Sequence, residues 1–239
     1  MKSANAFLLL FFSGLLILAS SCSKINGEGP VVSEERFVTN FSTLHFGTGG
    51  NLYYEPSSEF SLEIRAQKNI LDVIETYVSN NELKIKIRDN TVIHSHDPIT
   101  VYLKAPDLEG MYINGSGDIF VQQAISPDRL KLETNGSGKI DLAKVSTGLL
   151  ETRVNGSGDI IVRNGSATEE NCRISGSGDI HLLGLEAETS YTQTSGSGDI
   201  SLWVNDLLDC QISGSGMVKY KGSPQVKVKI SGSGRVVPW

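Results

Sequence analysis

The heptapeptide Ile113-Asn114-Gly115-Ser116-Gly117-Asp118-Ile119 decides the fold of this chain, because its Gly-Ser-Gly centre returns at a nearly constant interval. The tripeptide occurs seven times, and 18 to 21 residues separate the starts of successive copies. A short sequence repeated at such a period is typical of a solenoid, in which each repeat forms one coil. The seven copies begin at Gly115, Gly136, Gly156, Gly176, Gly196, Gly214 and Gly232.

Apolar and polar residues alternate on both sides of each Gly-Ser-Gly corner. A period of two indicates β-strands that bury one face. Four residues after the first glycine of each corner stand Ile119, Ile140, Ile160, Ile180, Ile200, Val218 and Val236. The repeat is too short for a strand, a helix and its crossover. The sequence therefore predicts an all-β fold, a parallel β-helix of about seven coils; an antiparallel β-sandwich is the alternative.

The corner itself predicts ladders of small polar side chains. Asn and Ser occupy the position before each corner, and a serine lies inside every corner, so stacking places like residues above one another. None of these serines has a histidine at a matching position in its repeat, and so we assign them a structural role. Cys172 and Cys210 share one inward position two coils apart, about 9.6 Å, which predicts two free buried thiols rather than a disulfide.

An acidic column follows the corner. Asp159, Asp179 and Asp199 are equivalent residues of three successive repeats, so stacking at about 4.8 Å would make them repel one another. A solvated acidic stripe is the main interpretation. A cation site, with calcium as the ion, is the second interpretation.

The region before the repeats has a different pattern. Residues 37–105 read as an irregular β N-terminal cap, which a solenoid needs because an open parallel edge invites aggregation. Residues 106–239 hold the β-helix repeats. We expect 37–239 to form one continuous domain.

The first residues predict export. Lys2, an apolar run over 6–18 and the small residues before Cys22 have the three-part organisation of a signal peptide over 1–21. The apolar run is too short to span a bilayer as a helix. The small residues before Cys22 resemble a bacterial lipoprotein processing site, which implies lipidation of Cys22, a lipidated tether over 22–36 and anchoring to a membrane, with an outer-membrane lipoprotein expected. An ordinary secretory signal with an incidental cysteine is the alternative.

The net charge of the chain argues against a nucleic acid as partner. With 21 Lys and Arg against 27 Asp and Glu, the net charge is -6, so no basic field attracts a nucleic acid backbone. The sequence indicates no cofactor, no metal centre and no catalytic residue.

The repeats Ile113-Asn114-Gly115-Ser116-Gly117-Asp118-Ile119 and Val154-Asn155-Gly156-Ser157-Gly158-Asp159-Ile160 resemble those of the putative auto-transporter adhesin family with a head GIN domain. The resemblance covers roughly residues 37–239. It implies β-helical repeats and a surface or adhesive role.

The sequence thus predicts a non-enzymatic binding or adhesion module of the cell envelope. Repetition generates a long rigid face on which many weak contacts can add up, with a glycan or another envelope component as partner. The alternatives are a carbohydrate-active enzyme on a β-helix scaffold and a purely structural envelope protein. The outward residues proposed to contact the ligand are Tyr112, Phe120, Arg153, Arg173 and Gln193.

Overall fold

The structure, a computed structural model, describes residues 23–239. Its first part contains nine strands and one helical turn, α1 (Lys68–Leu71). The strands are β1 (Ser23–Ile25), β2 (Val31–Arg36), β3 (Thr43–Gly47), β4 (Asn51–Pro56), β5 (Ser61–Gln67), β6 (Ile74–Ser79), β7 (Glu82–Ile87), β8 (Thr91–Ile93) and β9 (Thr100–Ala105).

The repeats form the remaining strands, several of which continue through more than one side of a coil. They are β10 (Gly110–Gly115), β11 (Asp118–Ile125), β12 (Arg129–Gly136), β13 (Lys139–Gly156), β14 (Asp159–Val162), β15 (Gly165–Gly176), β16 (Ile180–Gly196), β17 (Ile200–Gly214), β18 (Met217–Lys221), β19 (Gln225–Gly232) and β20 (Arg235–Pro238).

The Gly-Ser-Gly corners stack in a single file. Parallel pairing places each first glycine directly on the next, from Gly115 through Gly136 and Gly156 to Gly232. The strands before the corners form one parallel sheet, and those after the corners form a second. The predicted parallel β-helix is confirmed.

The corner glycines are needed for conformation and for space. Gly136 has φ +141°, a region that residues with a Cβ rarely adopt. A Cβ there would also collide with the carbonyl oxygen of Gly115 in the coil below. That oxygen accepts hydrogen bonds from the N–H groups of Ser137 at 3.0 Å and Gly138 at 3.2 Å. The corner therefore ties each coil to its neighbour.

The inward columns form one continuous apolar core. Ile119, Ile140 and the equivalent residues up to Val218 are fully buried. Cys172 and Cys210 are buried free thiols with Thr192 in register between them, as the sequence predicts. Burial is the main cause that raises the pKa of Cys172, and it raises that of Cys210 to about 11.

The N-terminal region adds further layers to the solenoid and then closes its end. β3 and β4 stack in parallel on β10 and β11, and β7 and β9 stack in turn on β3 and β4. Antiparallel pairs, β2 with β5, β5 with β9 and β6 with β7, complete this end. The region is thus more regular than the cap expected from the sequence. Its corner, Thr48-Gly49-Gly50, lacks the repeated tripeptide, although Gly50 also has a positive φ of +106°.

Two strands lie within the segment 22–36 that was expected to form the lipidated tether. β1 pairs in parallel with β8, and β2 pairs along its whole length with β5. Arg36 fixes the end of β2, because its guanidinium donates to the carbonyl oxygens of Ile74 at 2.6 Å and Leu71 at 2.9 Å. These pairings attach β1 and β2 to the rest of the N-terminal region. The predicted signal peptide and Cys22 lie outside the described residues.

Candidate binding surface

The most regular surface is the outward side of the strands before the corners, which we call the pre-corner face. Its side chains form three parallel columns, five, three and one residues before the first glycine of each corner. The first column holds Lys131, Glu151, Asn171, Tyr191, Asp209 and Lys227. The second holds Tyr112, Glu133, Arg153, Arg173, Gln193, Gln211 and Lys229, and the third holds Asn114, Asn135, Asn155, Ser175, Ser195, Ser213 and Ser231.

Two shallow depressions adjoin on the later coils of this face. One has a volume of about 140 Å³ and is lined by Asn171, Arg173 and Tyr191 among others. The other measures about 370 Å³ and extends to Lys229. Gln193 and Gln211 line both depressions, which makes them parts of one surface. We call this surface the polar groove, and its outward side chains are Asn171, Arg173, Tyr191, Gln193, Asp209, Gln211, Lys229, Ser195, Ser213 and Ser231.

The structure brings three of the predicted contact residues together. Arg153, Arg173 and Gln193 follow one another in register in the second column. Sequence reasoning missed Tyr191, whose side chain is 41% exposed in the first column. The alternation of the strand could have identified it, since Tyr191 precedes its corner by an odd number of residues and therefore faces outward like Gln193.

Tyr112 belongs to the same column, but its ring is already covered. The His45 ring stacks on it with centroids 4.5 Å apart, and the Lys131 ammonium lies 5.2 Å from its centroid on the ring face. Burial is the main cause that lowers the pKa of His45, and the carboxylate of Glu82 opposes this effect from 3.6 Å. Tyr112 thus packs between neighbours and offers no open ring face.

Phe120 lies on a different sheet from the other four predicted residues. It follows the corner and joins a ladder with Tyr53 and Tyr102, whose ring centroids are spaced by 5.4 and 5.6 Å. Cations close both ends of the ladder: the Arg65 guanidinium lies 4.7 Å from the centroid of Tyr102, and Lys139 Nζ lies 5.0 Å from that of Phe120. The five residues therefore do not form a single face, and the ring faces of this ladder are occupied.

The aspartates after the corner accept hydrogen bonds from the backbone of the next coil. Oδ1 of Asp159 accepts from the N–H of Asp179 at 3.1 Å, and Oδ1 of Asp179 accepts from Asp199 at 2.8 Å. Asp199 and Asp118 repeat the contact with Met217 and Lys139. Among residues 23–239, no group of three or more His, Cys, Asp or Glu side chains is arranged to hold a metal. A cation at Asp159, Asp179 and Asp199 stays a prediction.

The asparagine ladder predicted at the corner is present. Asn135 Nδ2 donates to Asn114 Oδ1 at 3.1 Å, and Asn155 Nδ2 donates to Asn135 Oδ1 at 2.8 Å. These amides are thus engaged along the first three coils. Three of the equivalent serines on the later coils, Ser195, Ser213 and Ser231, line the polar groove instead.

One buried carboxyl has a strongly perturbed acidity, but it lies inside the solenoid. Glu170 is fully buried and accepts a hydrogen bond from the Ser190 hydroxyl. Burial raises its pKa to about 8, and the Ser190 hydrogen bond opposes this rise. Because the carboxyl is sealed from solvent, it faces no surface on which a substrate could bind.

Comparison with known proteins gives the family. A family-level comparison matches residues 40–224 to the putative auto-transporter adhesin, head GIN domain. The chain belongs to this family. The match begins before the first Gly-Ser-Gly corner, so it includes the layers of β3, β4, β7 and β9 as well as the repeats.

Solved structures agree with this assignment. The GIN-domain fold of this chain is similar to that of a putative adhesin from Bacteroides fragilis, with a TM-score of 0.86 and 26% identity over 90% of this chain and 100% of the other. A putative lipid binding protein from Parabacteroides distasonis gives a TM-score of 0.76 at 22% identity, over 91% and 100%. A putative adhesin from Parabacteroides merdae gives 0.71 at 20% identity, over 91% and 99%. The last two show the fold alone.

No curated protein sequence matches this chain. Within residues 23–239, no helix has the length and apolar character needed to cross a membrane.

Proposed function

We propose that this GIN-domain protein is an exported, non-enzymatic adhesion module that binds an extended glycan, or another polyhydroxylated envelope component, in its polar groove. The observation that carries the proposal is the pair of adjoining depressions lined by Arg173, Tyr191, Gln193 and Gln211. The adhesin family and the adhesin-like structure from Bacteroides fragilis support it.

The chemistry of the groove suits sugar hydroxyls. Arg173 supplies donors only, whereas the amides of Gln193 and Gln211 supply both donors and an acceptor. Successive rungs repeat these groups about every 4.8 Å along a rigid axis, so that an extended chain can contact several coils at once. Individually weak contacts then add without a large ordering cost on the protein side.

Tyr191 adds an open aromatic surface to these polar groups. Unlike Tyr112 and Phe120, its ring has no stacking ring or cation partner among residues 23–239. A tyrosine ring combines an apolar face with a polar hydroxyl, which fits a sugar ring with its apolar and hydroxylated sides. Tyr191 is the residue on which we expect the ligand to pack.

The shape of the groove favours binding over catalysis. It is a shallow surface formed by repeated residues, whereas hydrolysis of a glycosidic bond needs two carboxyl groups that flank one bond at a fixed separation. Asp209 is the single carboxylate that lines either depression. This arrangement supports the non-enzymatic proposal over a carbohydrate-active enzyme.

Attachment through Cys22 completes the proposal. β1 starts at Ser23 and pairs with β8 at the N-terminal end of the solenoid. A lipid on Cys22 would therefore hold that end against the outer membrane, after removal of a signal peptide over 1–21. Asn171 lies five rungs from the layer of β7 and β9, roughly 24 Å at the spacing of strands in a sheet, so the groove would stand clear of the membrane.

The test combines glycan arrays with polysaccharide turnover. We expect saturable binding without product release, and about a tenfold or greater loss of affinity in the double variant Arg173→Ala, Gln193→Ala. The matched control is Lys144→Ala, Asn164→Ala, which removes one cation and one amide from exposed positions on another side. Release of product would favour the enzyme, and absence of both binding and turnover would favour a purely structural protein.

A separate experiment tests the anchor. Metabolic labelling with a radioactive fatty acid should mark the wild-type protein in the membrane fraction. Cys22→Ala should remove both the label and the membrane association. Label retained by Cys22→Ala would contradict the proposed lipidation site.

A further inference from the structure

The two ends of the solenoid differ. The N-terminal end is closed by antiparallel pairing of β2, β5 and β6. At the other end, β19 pairs on one side with β17, and among residues 23–239 no strand pairs with its other side. β20 likewise pairs with β18 alone. An unpaired strand edge presents backbone donors and acceptors ready for another strand.

The apolar side chains of β19 form a core layer without a cover. Val226, Val228 and Ile230 continue the inward columns of Leu208, Cys210 and Ile212, which are buried beneath them. Their own exposed fractions are 37%, 48% and 41%. In every earlier coil the next rung covers these positions, and here that rung is absent from residues 23–239.

The C-terminal end of the solenoid carries only positive side-chain charges. Residues 217–239 carry five cations, Lys219, Lys221, Lys227, Lys229 and Arg235, and no aspartate or glutamate, although the whole chain has a net charge of -6. None of the five forms an ion pair within the described residues. Two identical ends would therefore repel each other, which argues against a second copy as the partner.

We propose that the open edge of β19 binds an extended acidic peptide segment, in which apolar and acidic residues alternate, as one further rung of the solenoid. This second binding surface shares Lys229 with the polar groove, but the proposal does not rest on the proposed glycan function. The backbone of the segment would pair with the free edge. Its apolar residues would cover Val226, Val228 and Ile230, and its carboxylates would lie over Lys227 and Lys229 at the spacing of one rung.

This occupant satisfies three requirements together. The edge needs hydrogen-bonding partners, the exposed core layer needs an apolar cover, and the unpaired ammonium groups favour carboxylates. Successive side chains of a strand point to opposite faces. The alternation in Val226-Lys227-Val228-Lys229 therefore requires a peptide in which apolar residues alternate with acidic ones. An anionic membrane would meet the last two requirements, but acyl chains cannot pair with backbone groups.

The probe is the acetylated and amidated peptide Thr-Val-Glu-Val-Glu-Val-Ser-Gly, and the readouts are calorimetry and amide hydrogen exchange on the purified protein. We expect saturable binding that weakens as salt rises, with slower exchange in residues 225–232. The same peptide with Lys in place of Glu should bind at least about tenfold more weakly.

Charge reversal makes the test specific. The variant Lys227→Glu, Lys229→Glu should lose the glutamate peptide and gain the lysine peptide. The control Lys24→Glu, Lys144→Glu changes the net charge by the same amount at exposed positions elsewhere and should bind like the wild type. Because all these side chains are exposed, we expect each variant to fold, and circular dichroism checks this.

Three outcomes would overturn the proposal. The first is binding to vesicles of phosphatidylglycerol in the absence of peptide binding. The second is concentration-dependent dimerisation that Val228→Lys abolishes. The third is equal affinity for the glutamate and lysine peptides, or no binding of either.

Discussion

Glu170 provides a pH-dependent test of the interior of the solenoid. Its side chain stands in an inward column between Leu150 of the coil before and Ser190 of the coil after, followed by Leu208. Ser190 donates to one carboxyl oxygen, and the other, Oε1, has no hydrogen-bonding partner among residues 23–239. Burial of the charged form is therefore unfavourable, and we expect the folded protein to keep Glu170 protonated at neutral pH.

The expected magnitude follows from the two pKa values of Glu170. The ordinary value is 4.5 and the folded value is about 8, so from pH 4.5 to 8 the folded state holds a proton that the unfolded state has lost. The free energy of unfolding then falls as pH rises, by about 1.4 kcal/mol per pH unit and by up to about 5 kcal/mol in total. Below pH 4.5 the contribution is constant, and above pH 8 no further loss is expected.

The assay is urea unfolding of the wild type and Glu170→Gln at pH 4, 5, 6, 7 and 8. The glutamine preserves the shape and can accept the Ser190 hydrogen bond, but it does not ionise. The two proteins should have similar stability near pH 4, and Glu170→Gln should be the more stable by a few kcal/mol at pH 8. Glu188→Gln, at an exposed position, is the control and should follow the wild type. Parallel profiles for wild type and Glu170→Gln would refute the reasoning.

Three further predictions concern the corners, the thiols and the acidic column. Gly176→Ala should destabilise the protein by about 3 kcal/mol or more, because Gly176 has φ +145° and no room for a Cβ; an unchanged melting temperature would contradict this. Cys172 and Cys210 should react with a thiol reagent after denaturation but not before it, and a bridge between them under oxidising conditions would refute the register. Asp179→Ala should cost about 1 kcal/mol, because the N–H of Asp199 loses its acceptor, whereas Asp179→Asn keeps an acceptor oxygen and should cost less; a calcium-dependent rise in the melting temperature of the wild type would support the cation interpretation.

The repeated tripeptide made most of the fold predictable. Nearly constant spacing implies coils of similar length, which places the corners from Gly115 to Gly232 in one file, and alternation identifies inward residues such as Ile119 and Ile140. The layers before the repeats are not predictable from the sequence, because the corner at Thr48-Gly49-Gly50 uses different residues for the same turn. Their register appears only once β3 and β4 are seen to pair with β10 and β11.

The candidate site was less predictable than the fold. Alternation says whether a side chain points inward or outward. It does not say that the strands before and after a corner face different directions, which is why the sequence groups Phe120 with Arg173. Nor does it say whether an outward ring is covered, as Tyr112 is by His45. The buried position of Glu170 could have been read from its column, since it precedes its corner by the same even number of residues as Leu150.

Disulfide trapping between corners tests the stacking of coils most directly. Ser137, Ser157 and Ser177 are exposed equivalents on three successive coils, so their Cα atoms should follow one another at about 4.8 Å. In a Cys22→Ala background, Ser137→Cys with Ser157→Cys should form an intramolecular disulfide under mild oxidation. Ser137→Cys with Ser177→Cys, about 9.6 Å apart, should not. Equal trapping of both pairs, or trapping of the distant pair alone, would contradict the single file of corners.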